Sequence, residues 1–168
     1  LTPDVEKKRT ALPLLGRAIF GMVDWAARNG LAESSAPETK AAAGHQARRT
    51  GVRGETYAYW YLRKNGYVMI ARNFSQRGIK GEIDLVGYDG KTLAFVEVKT
   101  RTSPRDEFGT PEDAVTSGKK KHLSHMARQF VREYRAAGVP YRFDILAIEA
   151  PSGRRPIVRL HKGAFAPL

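Results

Sequence analysis

The chain has 168 residues, 42% of them apolar, and a formal net charge of +12. That length allows one domain with a real core, and the mixture of charge signs makes it a soluble, globular one. With no cysteine, disulfides, thiolate zinc sites and cysteine nucleophiles are all excluded, and no apolar run approaches the roughly twenty residues of a membrane span. Excess positive charge favours a polyanionic partner. Nucleic acid is the first candidate, with an anionic membrane or ribosomal surface as the competitor.

In chain order, Lys7-Lys8-Arg9 ahead of an apolar run resembles the start of a signal peptide, but Arg17 and Asp24 interrupt it. Secretion is therefore rejected, and a cytoplasmic location is expected. The chain does not begin with Met, so its true start is not visible. Leu14, Leu15, Ala18, Ile19, Met22, Val23 and Ala26 recur at helical spacing, which predicts an amphipathic helix over residues 13–29 ending at Gly30. It is expected to pack on the domain; a surface helix for a partner or lipid head groups is the alternative. Residues 32–43, rich in Ala, Ser, Pro and charge, read as a linker. The division expected is an N-terminal extension over 1–45 and a folded domain over 46–168.

Residues 46–64 read as a helix with Val52, Ala58, Tyr61 and Leu62 turned inward and Gly66 as terminator. Taken alone, Glu55 is a solvent-facing carboxylate paired with a neighbouring Arg. Tyr57, Tyr59, Trp60 and Tyr61 are mainly core, although an exposed Tyr57 or Trp60 is suited to stacking on an unpaired base. A short strand over 67–71 leads into a basic loop, where Arg72, Arg77 and Lys80 are candidates for holding phosphates.

The stretch Gly81-Glu82-Ile83-Asp84-Leu85-Val86, a turn at Asp89-Gly90, and Phe95-Val96-Glu97-Val98-Lys99-Thr100-Arg101 reads as a hairpin. Alternation puts Ile83 and Leu85 on one face and Glu82 and Asp84 on the other, with Val96 and Val98 facing away from Glu97 and Lys99. Facing Tyr88 with Leu93 across a four-residue loop sets Val86 opposite Phe95, Asp84 opposite Glu97 and Glu82 opposite Lys99. Like charges across a ladder repel, so Asp84 beside Glu97 is a poor choice for a purely structural sheet. A divalent cation removes the conflict. Magnesium takes one or two carboxylates and keeps waters and phosphate oxygens, so Asp84 and Glu97 suit it, with Lys99 able to orient a water or stabilise a pentavalent phosphorus. The bare spacing of such acids is common; their placement on one face of a hairpin is what carries weight.

Beyond Lys99 comes a loop with Arg101 and Arg105, read as a substrate-facing lip. Thr110-Pro111-Glu112-Asp113 is a helix start, and a second start at Thr116 or Ser117 opens the longest helix. Its buried stripe is Leu123, Met126, Ala127, Phe130, Val131 and Tyr134, with Lys121, Arg128, Arg132 and Arg135 on the opposite side. Lys119, Lys120 and Lys121 oppose the helix macrodipole, which a bound phosphate would reverse into an attraction. His122 and His125 lack a third ligand at metal spacing. Residues 141–148 read as an interior strand, with Asp144 in it paired to Arg142 or another core Arg, or else supporting the site from behind, a structural role being preferred, and residues 157–160 as an edge strand. There is no repeat and no Gly-rich nucleotide loop.

Several ordered motifs, Gly51-x-x-Gly54-Glu55-x-x-Ala58-x-x-Tyr61-Leu62, Gly66-Tyr67, Ala71-Arg72-Asn73, the two hairpin strands, Ala114-Val115-Thr116 and Arg142-Phe143-Asp144, resemble the YraN-like family of predicted nucleases over about residues 48–150. That family is placed with the restriction-endonuclease-like, PD-(D/E)xK group and is similar to archaeal Holliday-junction resolvases. The resemblance implies an α/β fold with a central mixed sheet, in the order helix, three strands, helix, strand. It also implies Asp84 and Glu97 as ligands of Mg²⁺ or Mn²⁺, Lys99 as catalytic and Glu55 as supporting ligand; Glu82, opposite Lys99 in the hairpin register, is expected to be accessory. The Pro usual before the Asp is Ile83 here, as in the family. The function expected is a metal-dependent endonuclease acting on DNA, branched or damaged, with a homodimer compatible. The alternative is a non-catalytic nucleic-acid-binding or recombination-scaffold protein that retains the fold.

Overall fold

The computed structural model describes residues 13–30, 39–79, 81–101, 115–151 and 154–168. Lys80, Arg105, the rest of the loop after Arg101 and the helix start at Thr110 lie outside the described residues. Helix α1 spans Pro13–Gly30, as its periodicity predicts, and packs on α2, which spans Lys40–Lys64. The buried face of α1 differs from the apolar stripe read from the sequence. Met22 is 65% exposed, whereas Phe20 and Asp24 are buried. Specific partners set this rotation. Phe20 meets the rings of Tyr57 and Tyr61 edge-on at 5.4 and 6.0 Å, and Asp24 accepts a 2.7 Å hydrogen bond from the Tyr57 hydroxyl. Asp24 also pairs with Arg155 at 2.9 Å and Arg28 at 3.1 Å. Burial works against its ionised form, but these donors outweigh it and hold the carboxyl below its usual value.

Helix α2 starts earlier than the linker reading allows, at Lys40, with the Thr39 hydroxyl accepting from the Ala42 amide at 3.1 Å. The run Ala41-Ala42-Ala43 extends a helix rather than a linker. Gly54, Tyr57, Ala58 and Leu62 are buried, while Val52, expected inward, is exposed. Buried Tyr57 is thereby removed as a stacking platform. Gly66, at φ +88°, turns the chain out of the helix as expected.

Five strands form one sheet in sequential order: β1 (Val68–Phe74), β2 (Ile83–Asp89), β3 (Thr92–Arg101), β4 (Tyr141–Glu149) and β5 (Ile157–Phe165). All neighbours are antiparallel except β3 and β4, which are parallel and joined through helix α3 (Ser117–Glu133). This mixed sheet flanked by helices is consistent with a restriction-endonuclease-like fold. One core lies under α3, with Leu93, Phe95, Phe143 and Ile145 against Leu123, Met126 and Phe130. The other lies under α2, with Leu85, Ala94, Val96, Leu146 and Ile148 against Tyr57, Ala58 and Leu62. Ile83, at the first position of β2, packs with its ladder partner Phe74 in the α3-side core rather than with Leu85. Along α3 the exposed basic side is as expected, but Tyr134, expected in the buried stripe, is 48% exposed. It lies past the last helical turn and stacks on Phe130 at 4.1 Å.

Asp144 on β4 is 1% exposed and structural. Arg142 bonds it at 2.8 Å and reaches Asp89 at 2.6 Å, and the Gly163 amide donates to it at 2.9 Å where the β4/β5 register shifts.

Candidate functional site

The hairpin has the register that alternation predicts, with Tyr88 opposite Leu93 and Val86 opposite Phe95. Its loop is tighter than four residues, because Asp89 and Thr92 also pair and Gly90 takes φ +63°. The β2/β3 ladder stops at Leu85 and Val96. Beyond that point Ile83 pairs with Phe74 of β1, and residues 97–101 pair with β4. The two central strands therefore part, and the backbone groups facing the gap need other partners. Asp84 supplies one: its Oδ2 accepts from the Val98 amide at 2.7 Å.

Glu97 projects from the α3 face of β3 beside Asp84 and is 5% exposed. Lys99 Nζ donates to its Oε1 at 2.8 Å. Lys119 Nζ, from the first turn of α3, lies 3.3 Å from its Oε2. That second contact is an ion pair without hydrogen-bond geometry, since the buried Oε2 accepts no hydrogen bond. Burial, then the charge of Glu97, push the Asp84 carboxyl up to about 7. Glu55, half-buried on α2, adds to the rise, while the Val98 amide and Lys119 oppose it. Glu97, Glu55 and Lys119 thus act on Asp84, and Lys99 and Lys119 on Glu97, which brings together the three acids and the amine singled out in the sequence.

The donor set suits a hard divalent cation. Two carboxylates crowd together, one carboxylate oxygen lacks a hydrogen bond, and an amine already offsets part of the negative charge. Among the described residues no three His, Cys, Asp or Glu side chains form a ready cage. Magnesium does not need one, since it usually keeps waters and takes one or two carboxylates.

Glu82 does not join this group as expected. It is exposed and precedes β2, where the strands have already separated, so it does not face Lys99 across a ladder. Of the basic candidates, Arg72 is exposed, bonds the Thr56 hydroxyl at 3.2 Å and lies 5.0 Å from the Tyr59 ring centre. Arg77 and Lys121 are exposed, and Arg101 ends β3 at the parted end of the sheet. Lys120 lies over the Phe165 ring at 5.7 Å.

Sequence reading assigned Lys119 to a general phosphate patch and missed its contact with Glu97. Its only signal was a cation at the positive end of a helix. Two close packings were also not foreseen. A Cβ on Gly54 would meet the Thr100 hydroxyl at 1.8 Å, so the glycine lets α2 approach β3. Gly81, at φ +103°, lies against His122, whose buried Nε2 has no hydrogen-bond partner.

A family model described as "Uncharacterised protein family UPF0102" matches residues 54–148, which include all five site residues. A UPF0102 protein of Koribacter versatilis is 43% identical over 117 residues, 70% of this chain and 79% of the relative. One from Geobacter metallireducens is 43% identical over 115 residues, covering 68% and 90%. Another, from Symbiobacterium thermophilum, is 41% identical over 119 residues, covering 71% and 98%.

Proposed function

From the membership of this chain in the UPF0102 (YraN-like) family, and from the acids gathered in the gap between β2 and β3, we propose that it is a metal-dependent nuclease. It hydrolyses DNA phosphodiester bonds, on branched or damaged DNA, and belongs to the restriction-endonuclease-like group to which resolvases are similar. One observation carries this reading: Asp84 and Glu97 share a gap where strand pairing has ended, with two amines on Glu97.

Asp84 and Glu97 hold Mg²⁺ or Mn²⁺, with Glu55 supporting from α2. The ion supplies Lewis-acid stabilisation of negative charge on the phosphate. In hydrolysis an oxygen of water bonds to phosphorus as that water gives up a proton, one P–O ester bond breaks, and the departing alkoxide takes up a proton, so that one water is added across the bond. Lys99, held by Glu97 yet 40% exposed, orients the water and stabilises charge on the phosphorus oxygens. Arg72 on the Tyr59 ring and the exposed Arg77, Arg101 and Lys121 guide the backbone of the DNA without reading its bases. The net charge of +12 steers the polyanion to the site. A DNA substrate agrees with the cytoplasmic location expected from the sequence, and two cuts on two strands suit a homodimer. Among the described residues no helix is long and apolar enough to cross a membrane.

The test is a cleavage panel of linear, flapped and four-way DNA with Mg²⁺, Mn²⁺ or EDTA. Product that needs the cation supports the nuclease. Salt-sensitive binding without product supports instead a scaffold protein that keeps the fold.

A further inference from the structure

Of the three consecutive lysines opening α3, Lys119 is the one whose amine meets the acids. Its amide donates to the Thr116 cap at 3.3 Å, which fixes it in the first helical turn. A cation there opposes the helix macrodipole. The compensating charge is Glu97, whose Oε2 lies 3.3 Å away and accepts no hydrogen bond.

The two amines on Glu97 are not equivalent. Lys99 makes a hydrogen bond at 2.8 Å to Oε1, whereas Lys119 makes only the longer ion pair to Oε2. A divalent cation entering between Asp84 and Glu97 makes one of these positive charges redundant. The looser one is displaced first, and its oxygen is the one without a hydrogen bond. Lys119 is 35% exposed, so the displaced amine has a path toward solvent and the incoming substrate.

Resting on the nuclease reading, we infer that Lys119 is an exchange residue. It holds the second oxygen of Glu97 before the cation arrives and contacts the scissile phosphate afterwards. It thus adds a cation from α3 to the Lys99 amine from β3, so that the phosphate is met from two elements.

The test uses the full chain. In calorimetric titration of Mn²⁺ at pH 8 without DNA, Lys119→Met binds at least about threefold more tightly than the parent, because a competitor for Oε2 and a nearby positive charge have both gone. With saturating Mn²⁺, the same variant loses about tenfold or more in single-turnover cleavage, and Lys119→Arg recovers part of it. An unchanged or weaker Mn²⁺ affinity overturns the exchange. Cleavage within about twofold of the parent overturns the phosphate contact. A parent that cleaves no DNA defeats the nuclease reading alone, and the calorimetry still decides whether Lys119 competes for Glu97. Thermal melting of the metal-free protein checks folding, and Lys119→Gln serves for both measurements where the Met variant does not fold.

Discussion

The Asp84 carboxylate accepts a 2.7 Å hydrogen bond from the Val98 amide, a donor that no longer has a strand partner in β2. A side chain thus completes the edge of the gap and is fixed there beside Glu97. Burial and Glu97 raise its pKa, so the native carboxyl keeps its proton up to about pH 7, well above its ordinary value of 3.8.

That shift sets a sign for stability. A raised carboxyl pKa means the folded protein binds the proton more tightly than the unfolded chain does, so this group's contribution is full below about pH 4 and lost as pH rises through about 7. Asp84→Asn keeps an oxygen for the Val98 amide and cannot ionise. In metal-free buffer its melting temperature should exceed the parent's at pH 8, and the difference should vanish near pH 4.

In the proposed site the same proton competes with the metal. Below pH 7 a divalent cation has to displace it, so Mn²⁺ affinity should fall by up to about tenfold per pH unit and binding at pH 6 should release a proton. Titration calorimetry in buffers of different ionisation enthalpy reads both. A pH-independent affinity would contradict the assignment of Asp84 as a ligand.

The hairpin and the convergence of Asp84 with Glu97 were legible in the sequence because alternation and the Asp89-Gly90 turn are local signals. The parting of the strands was not, since alternation continues through Asp84 and Glu97 and gives no sign that the ladder ends at Leu85 and Val96. Glu82 was misplaced for that reason. The rotation of α1 was hidden because apolar periodicity gives no weight to Asp24, a buried acid that meets Tyr57 and Arg155 only in the folded chain. Lys119 signalled an anion near the start of α3, and the fold identifies that anion as Glu97.

Gly54 sets the distance between Glu55 and the sheet. In Gly54→Ala the new methyl group would overlap the Thr100 side chain, so α2 or β3 must shift, at a cost of about 1 to 3 kcal/mol. Chemical denaturation measures the loss. Adding Thr100→Gly, which removes the atoms the methyl group would meet, should return part of both stability and cleavage relative to Gly54→Ala alone.

Asp144 and Arg142 serve the fold instead of the reaction. Asp144→Ala leaves Arg142 with Asp89 alone among its carboxylates, inside a largely buried network, and should cost about 3 kcal/mol. Variant protein that remains folded at low temperature should keep the metal dependence of cleavage unchanged, which separates this network from the site.

The most direct measurement is single-turnover cleavage of the preferred DNA with Mg²⁺ by the parent, Asp84→Ala, Glu97→Ala and Lys99→Ala, beside binding of the same DNA to each. Product from the parent alone, with binding retained by all four proteins, is the predicted result. Product formed equally by Asp84→Ala, or none formed by the parent with either Mg²⁺ or Mn²⁺, would contradict the assignment.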